Sequence, residues 1–155
     1  MSIGDIIYNV PLICAGSSWI IAQIIKIITC LIVEKKFRFD RIFGDGGMPS
    51  GHSATVTCLA ILIGYTAGFN SAAFAVSMIL AIVVMNDAAG VRQEAGKHAA
   101  TIKELADAVN GLFVEKDKEI RTEKIKILIG HTRLQVVMGA ILGVAVALFA
   151  IFVIL

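Results

Sequence analysis

Long apolar runs alternate with charged connections along this chain. The first run extends from about Ile6 to Val33, broken only by Pro11, Gly16 and the polar residues Ser17, Ser18, Gln23 and Lys26. About 20 residues suffice for a helix to cross a bilayer. A second run starts after His52 and ends near Gly68, and a third goes from Ser71 to about Met85, where it meets Asn86 and Asp87. A fourth, from Leu134 to Leu155, is apolar apart from Gln135. The second and third runs are short for a full crossing and are expected to extend through their polar flanks. The pattern predicts an all-α integral membrane protein, a bundle of about four transmembrane helices in a single membrane domain spanning residues 1–155.

The connections differ in kind. Gly68, Phe69 and Asn70 make a short uncharged turn, whereas Glu34 to Pro49 and Arg92 to Arg133 hold every Lys and Arg except Lys26. The positive-inside rule places both charged connections in the cytoplasm and both termini outside. Between His98 and Ile127 the charged segment keeps a helical period, with Ile102, Leu105, Ala106, Val109 and Leu112 three or four residues apart. It reads either as a lid over a site or as a solvated amphipathic connector on the membrane surface between helices three and four, and the second reading is favoured. Gly139 and Gly143 form a G-x-x-x-G pair on the last run, expected to serve packing within the chain rather than dimerisation.

Composition agrees with the pattern. Hydrophobic residues make up 57% and charged residues 17% of the 155 residues, against roughly 45–50% and 25% in soluble domains. The formal net charge of +2 and the even mixing of acids with bases exclude a nucleic-acid surface. Cys14, Cys30 and Cys58 lie inside apolar runs without metal-ligand spacing and read as small hydrophobes. The opening MSIGDIIYNV has neither the basic region nor the cleavage site of a signal peptide, so the first run is expected to stay as a span.

The predicted topology has a chemical consequence. The second and fourth helices both begin at the cytoplasmic side, at Gly46-Gly47-Met48-Pro49-Ser50-Gly51-His52-Ser53 and at Gly130-His131-Thr132, so their positive dipole ends face the same way and favour an anion. Arg41 and Arg92 follow the first and third helices, and Lys26 lies about two turns inside the first. A lysine at such depth costs roughly 2.5–3.5 kcal/mol unless it faces a polar cavity or snorkels to the interface. His52 and His131 each follow a glycine at the start of a span, a setting suited to proton transfer or nucleophilic attack. His98, beside Lys97 in the connector, reads as solvated surface, and Asp87 as a structural partner of Arg92 or Lys97. Ser53 reads mainly as a helix cap, while Ser50 is expected to offer hydroxyl and backbone to a phosphate, with Gly51 leaving room for the approach.

Pro49-Ser50-Gly51-His52-Ser53 resembles the P-S-G-H motif of the type 2 phosphatidic acid phosphatase and vanadium haloperoxidase superfamily. With Ala22-Gln23, Lys26, Gly46-Gly47-Met48, Asp87-Ala88-Ala89-Gly90-Val91-Arg92, Gly96-Lys97, Gly130-His131-Thr132 and Gly139-Ala140-Ile141-Leu142-Gly143, the chain resembles the small bacterial and plant branch called divergent type 2 phosphatidic acid phosphatases. The resemblance covers almost the whole chain. It implies that His131 is the nucleophile and that His52 protonates the leaving oxygen. It further implies that Lys26, Arg41 and Arg92 bind phosphate along with Ser50 and Gly51, supported by Asp87, Lys97 and Gln135.

The departures from the superfamily pattern are specific. Between Arg92 and His131 lie 38 residues where S-R-x5-H has five. Gln135 stands where the orienting Asp is expected, and it can hydrogen-bond an imidazole without supplying charge, unless Asp87 or Asp45 provides the carboxylate. Arg41 lacks a following Pro, and Arg38 competes for its role. The resemblance implies a metal-independent, cofactor-free phosphatase of the bacterial inner membrane. Its substrate would be phosphatidate, phosphatidylglycerophosphate or a polyprenyl (pyro)phosphate in the cytoplasmic leaflet, and vanadate-dependent oxidation is not expected. Its rivals are a non-catalytic lipid-phosphate-binding scaffold and a small transporter. The transporter would show paired polar interruptions in several spans, which only the first offers. Short spans bury modest area and leave room for a homodimer.

Overall fold

The computed structural model describes residues 3–34, 47–110 and 132–155. Every regular element among them is helical: a 3-10 turn at Ile3–Tyr8, α1 at Val10–Glu34, α2 at Gly51–Ala67, α3 at Ala72–Asn86, a π-helical turn at Asp87–Val91, α4 at Arg92–Asn110 and α5 at Arg133–Val153. The all-α membrane architecture is thus present. Three stretches, Val10–Ile32, Ala72–Val109 and Arg133–Val153, are long and apolar enough to cross a membrane, and Gly51–Ala67 is a shorter apolar helix. At 1.5 Å per residue α2 measures about 25 Å against a hydrocarbon core of about 30 Å.

Local chemistry sets the helix starts. Pro11 falls in the first turn of α1, where no intrahelical donor is lost, and Asn9 Oδ1 accepts from Leu12 N at 3.1 Å. Ser71 caps α3 by accepting from Phe74 N at 3.1 Å. Polar side chains inside the apolar helices bond back to the preceding turn: Ser18 Oγ donates to the Ala15 carbonyl at 2.7 Å, and Thr29 Oγ1 to that of Ile25 at 2.7 Å. Hydroxyls satisfied in this way sit in lipid at little cost.

The centre of the bundle is α2, which packs on α1, α3 and α5. Small residues dominate its contacts because lipid gives no hydrophobic drive to helix association, so close approach and van der Waals contact must supply it. Cys14, Cys58, Leu62, Ala147 and Ala150 form one buried cluster. The G-x-x-x-G pair works within the chain as expected. A Cβ at Gly139 would overlap the Ser50 carbonyl oxygen, and one at Gly143 would overlap that of Ala54. Outward side chains such as Val76, Ile79, Val83, Ile141 and Phe152 are more than half exposed, as lipid-facing residues should be.

The third run extends through its polar flank, as its shortness requires: α3 passes through the π-helical turn directly into α4. No proline interrupts residues 72–110, and the extra residue of the π turn absorbs the polar Asn86-Asp87 step without ending the helix. The connector residues Ile102 and Leu105 are more than half exposed, Ala106 is buried, and Leu112 lies outside the described residues.

Candidate functional site

The starts of α2 and α5 meet at the charged end of the bundle. Ser50, which precedes α2, donates its amide hydrogen to the Gln135 carbonyl in the first turn of α5 at 3.0 Å. This backbone bond sits where Gly139 lets the two helices touch. Two positive helix ends are therefore held side by side, and the alignment expected from the topology is present.

Lys26 reaches this junction from α1. Its side chain is only 7% exposed, which excludes snorkelling into open solvent. The aliphatic stem lies along Gly47: a Cβ there would sit 3.6 Å from Lys26 Cδ and 3.7 Å from Cγ. Gly47 takes φ +95°, in the left-handed region that glycine alone adopts readily. The Gly47–Ser50 segment thus folds over the lysine and includes a cis Met48–Pro49 peptide.

Three roles read from sequence change. Ser50, not Ser53, caps α2: its Oγ accepts from Ser53 N at 3.4 Å and from Ser53 Oγ at 3.0 Å. Being fully buried, Ser50 spends its amide and hydroxyl on the junction itself. Gly51 is explained by helix packing, since a Cβ would lie 3.0 Å from Trp19 Cδ1 and 3.2 Å from Trp19 Nε1. Gln135 forms a capping box with Thr132: Thr132 N donates to Gln135 Oε1 at 3.0 Å, and Gln135 N donates to Thr132 Oγ1 at 3.4 Å. The carboxamide oxygen therefore closes a helix end.

The remaining residues are placed as follows. His52 lies exposed in the first turn of α2. Asp87, partly exposed, opens the π-helical turn, and its backbone N–H bonds the Val83 and Val84 carbonyls. Arg92 is the first residue of α4. Lys97 is ion-paired to Glu94 at 2.6 Å on the solvated side of α4, which holds the Glu94 carboxyl below the usual glutamate range. His98 is exposed there, as expected. Arg38, Arg41, Asp45 and His131 lie outside the described residues. The structure thus unites Lys26, Gly47, Ser50, Gly51 and Gln135 around one junction.

Two contributors have no role assigned from sequence. Trp19 fills the space beside Gly51, and Gln23, one turn before Lys26, has its Oε1 buried in the described structure with no hydrogen-bond partner. The spacing of Trp19, Gln23 and Lys26, four and then three residues apart, was the available signal.

Residues 7–146 match the family model described as the Divergent PAP2 family. The chain is 36% identical over 151 residues to the uncharacterized membrane protein YuiD of Bacillus subtilis (strain 168), covering 93% of this chain and 95% of that one. No solved structure gives a significant match.

Proposed function

This chain belongs to the Divergent PAP2 family, and on that premise we propose that it is a lipid-phosphate phosphatase working through a phosphohistidine. The observation that carries the reading is the 3.0 Å bond between Ser50 N and the Gln135 carbonyl, which joins the helix start bearing His52 to the one preceded by His131. The buried Lys26 beneath Gly47 adds a fixed positive charge to the same end.

In the proposed reaction a neutral imidazole nitrogen of His131 attacks phosphorus. The bond from phosphorus to the lipid oxygen breaks as His52 donates a proton to that oxygen, releasing the alcohol. Water then attacks the phosphohistidine, losing its proton to His52, and phosphate leaves with His131 restored. Lys26, Arg41, Arg92 and the two helix ends stabilise the charge that builds on the phosphoryl oxygens. Ser50, Gly51 and Gln135 act as positioning residues, since their described contacts are made within the junction. The positive-inside bias sets the headgroup in the cytoplasmic leaflet, with phosphatidate, phosphatidylglycerophosphate and polyprenyl (pyro)phosphate as the substrate classes.

A specific observation favours a second reading. With the orienting Asp replaced by Gln135 and its Oε1 committed to the Thr132 cap, the chain would bind lipid phosphate without turning it over. Purified protein with a chelator and each lipid phosphate in mixed micelles decides between them. Release of phosphate that is abolished by His52→Ala and by His131→Ala supports the phosphatase. Retained lipid-phosphate binding with no release across the panel overturns it in favour of the scaffold.

A further inference from the structure

A second feature lies beside the junction on the α3 side. Where α3 passes into the π-helical turn, a cavity of about 370 Å³ opens against the first turn of α5. This is within the roughly 300–1,000 Å³ of small-molecule sites. Met85, Ala89, Val136 and Val137 give it apolar walls, and Asn86 and Arg133 add polar groups. Small residues keep it open: a Cβ built on Gly90 would meet no atom within 4 Å.

The surroundings specify the occupant. From Val137 an exposed apolar strip runs down α5 through Ile141, Val144 and Leu148, spaced four, three and four residues apart and so on one helix face. The cavity therefore continues into the lipid-facing surface of the bundle, while its cationic residue, Arg133, stands at the charged end. A water-soluble anion would find mostly hydrocarbon there, and a neutral alkane would leave Arg133 unused. A glycerophospholipid with an anionic headgroup matches both ends. The cavity also borders the junction, because Thr57 Oγ1 on α2 approaches Met85 Sδ at 3.9 Å and Val136 follows directly on Gln135.

We propose that the groove between the π-helical turn and the first turn of α5 seats one glycerophospholipid from the bilayer, Arg133 holding its phosphate and Met85, Val136 and Val137 its first methylenes. The inference deepens the phosphatase reading, on which it rests for the identity of this lipid as substrate; the binding itself is measured without turnover. The chain of the lipid follows the α5 strip outward, so Val137 and Gly90 set which lipids enter.

The test uses the full-length protein in phosphatidylcholine nanodiscs containing a small fraction of phosphatidate with a photoreactive diazirine near the glycerol. Crosslinks should map to the peptides bearing Met85 and Val136–Val137. They should fall at least tenfold in Val137→Trp, whose position is half exposed and tolerates bulk, and in Gly90→Leu, which grows into open space. Native mass spectrometry of Arg133→Gln should show loss of retained phosphatidate with retained phosphatidylcholine unchanged. Labelling spread evenly over the exposed faces of α1 and α3, or undiminished in both filling variants, overturns the proposal. So does phosphatidate retention that ignores Arg133. A protein that labels in the groove yet releases no phosphate sinks the phosphatase reading and leaves the groove standing, whereas turnover without groove labelling does the reverse.

Discussion

Replacing Gly139 by alanine tests the contact on which the candidate site is built. The added methyl would overlap the Ser50 carbonyl oxygen and lie 2.9 Å from Ser53 Cβ, so α5 must move away from α2 or Ser50 must shift. Overpacking of this kind costs about 1–3 kcal/mol. Either movement also strains the bond from Ser50 N to the Gln135 carbonyl, worth about 0.5–1.5 kcal/mol. Against this, alanine gains about 0.5–1 kcal/mol over glycine inside a helix. The net expectation is a loss of about 1–3 kcal/mol, set by the overpacking. Gly16→Ala is the control, because its Cβ meets nothing within 4 Å and only the helix gain remains. Both variants should be unfolded by titration with SDS in mixed micelles, followed by fluorescence of Trp19, the chain's one tryptophan. Gly139→Ala should unfold at lower SDS than the parent and Gly16→Ala at the same or higher, with oligomeric state by light scattering unchanged in both. Equal midpoints for the two variants would refute the packing argument, and a change in oligomeric state with unaltered unfolding would mean that the glycine pair joins chains instead.

Four further outcomes are expected. Gln135→Ala and Thr132→Ala should each cost about 1 kcal/mol with strong coupling between them in a double-mutant cycle, whereas Gln135→Glu should keep the capping box and gain from the helix dipole; equal loss in the Ala and Glu variants would contradict the cap. Lys26→Met should keep the stem over Gly47 while lowering phosphate release by about 10²-fold or more, and undiminished release would remove Lys26 from the site. Gly47→Ala should destabilise by about 1–2 kcal/mol through its positive φ rather than through a clash, so Gly47→Asn, which tolerates that region, should recover part of the loss. Because the Glu94 carboxyl is held low by Lys97, the pair's contribution is present at neutral pH and disappears as pH falls through the depressed titration of Glu94. A carbon-detected titration should find that midpoint below the usual glutamate range in the parent and back within it in Lys97→Ala.

The helical spans were legible in the sequence because lipid enforces apolar runs with satisfied backbones, and their ends fell within a few residues of the observed ones. The glycine pair announced close packing, but only the structure shows which carbonyls it meets. Lys26 illustrates a real ambiguity: depth along a helix does not distinguish a lysine that snorkels from one covered by a loop, and the covering comes from Gly47, far away in sequence. The Thr132–Gln135 capping box is written in its T-x-x-Q spacing, a signal that competes with the resemblance in which Gln135 replaces a carboxylate. Ser50 rather than Ser53 caps α2 for a simpler reason: both suit a cap, and which one serves depends on where the helix begins. The π-helical turn had no signature, since one extra residue per turn leaves the local composition of a helix unchanged.

That turn has a mechanical consequence. A loop between membrane and charged segments would let each move without the other, but here a single continuous rod runs from Ala72 to Asn110 with one wide coil at Asp87–Val91. Any twist or pull that a surface or a partner exerts on the polar half is delivered into the bilayer half through that coil, where the wall formed by Met85 and Ala89 turns with it.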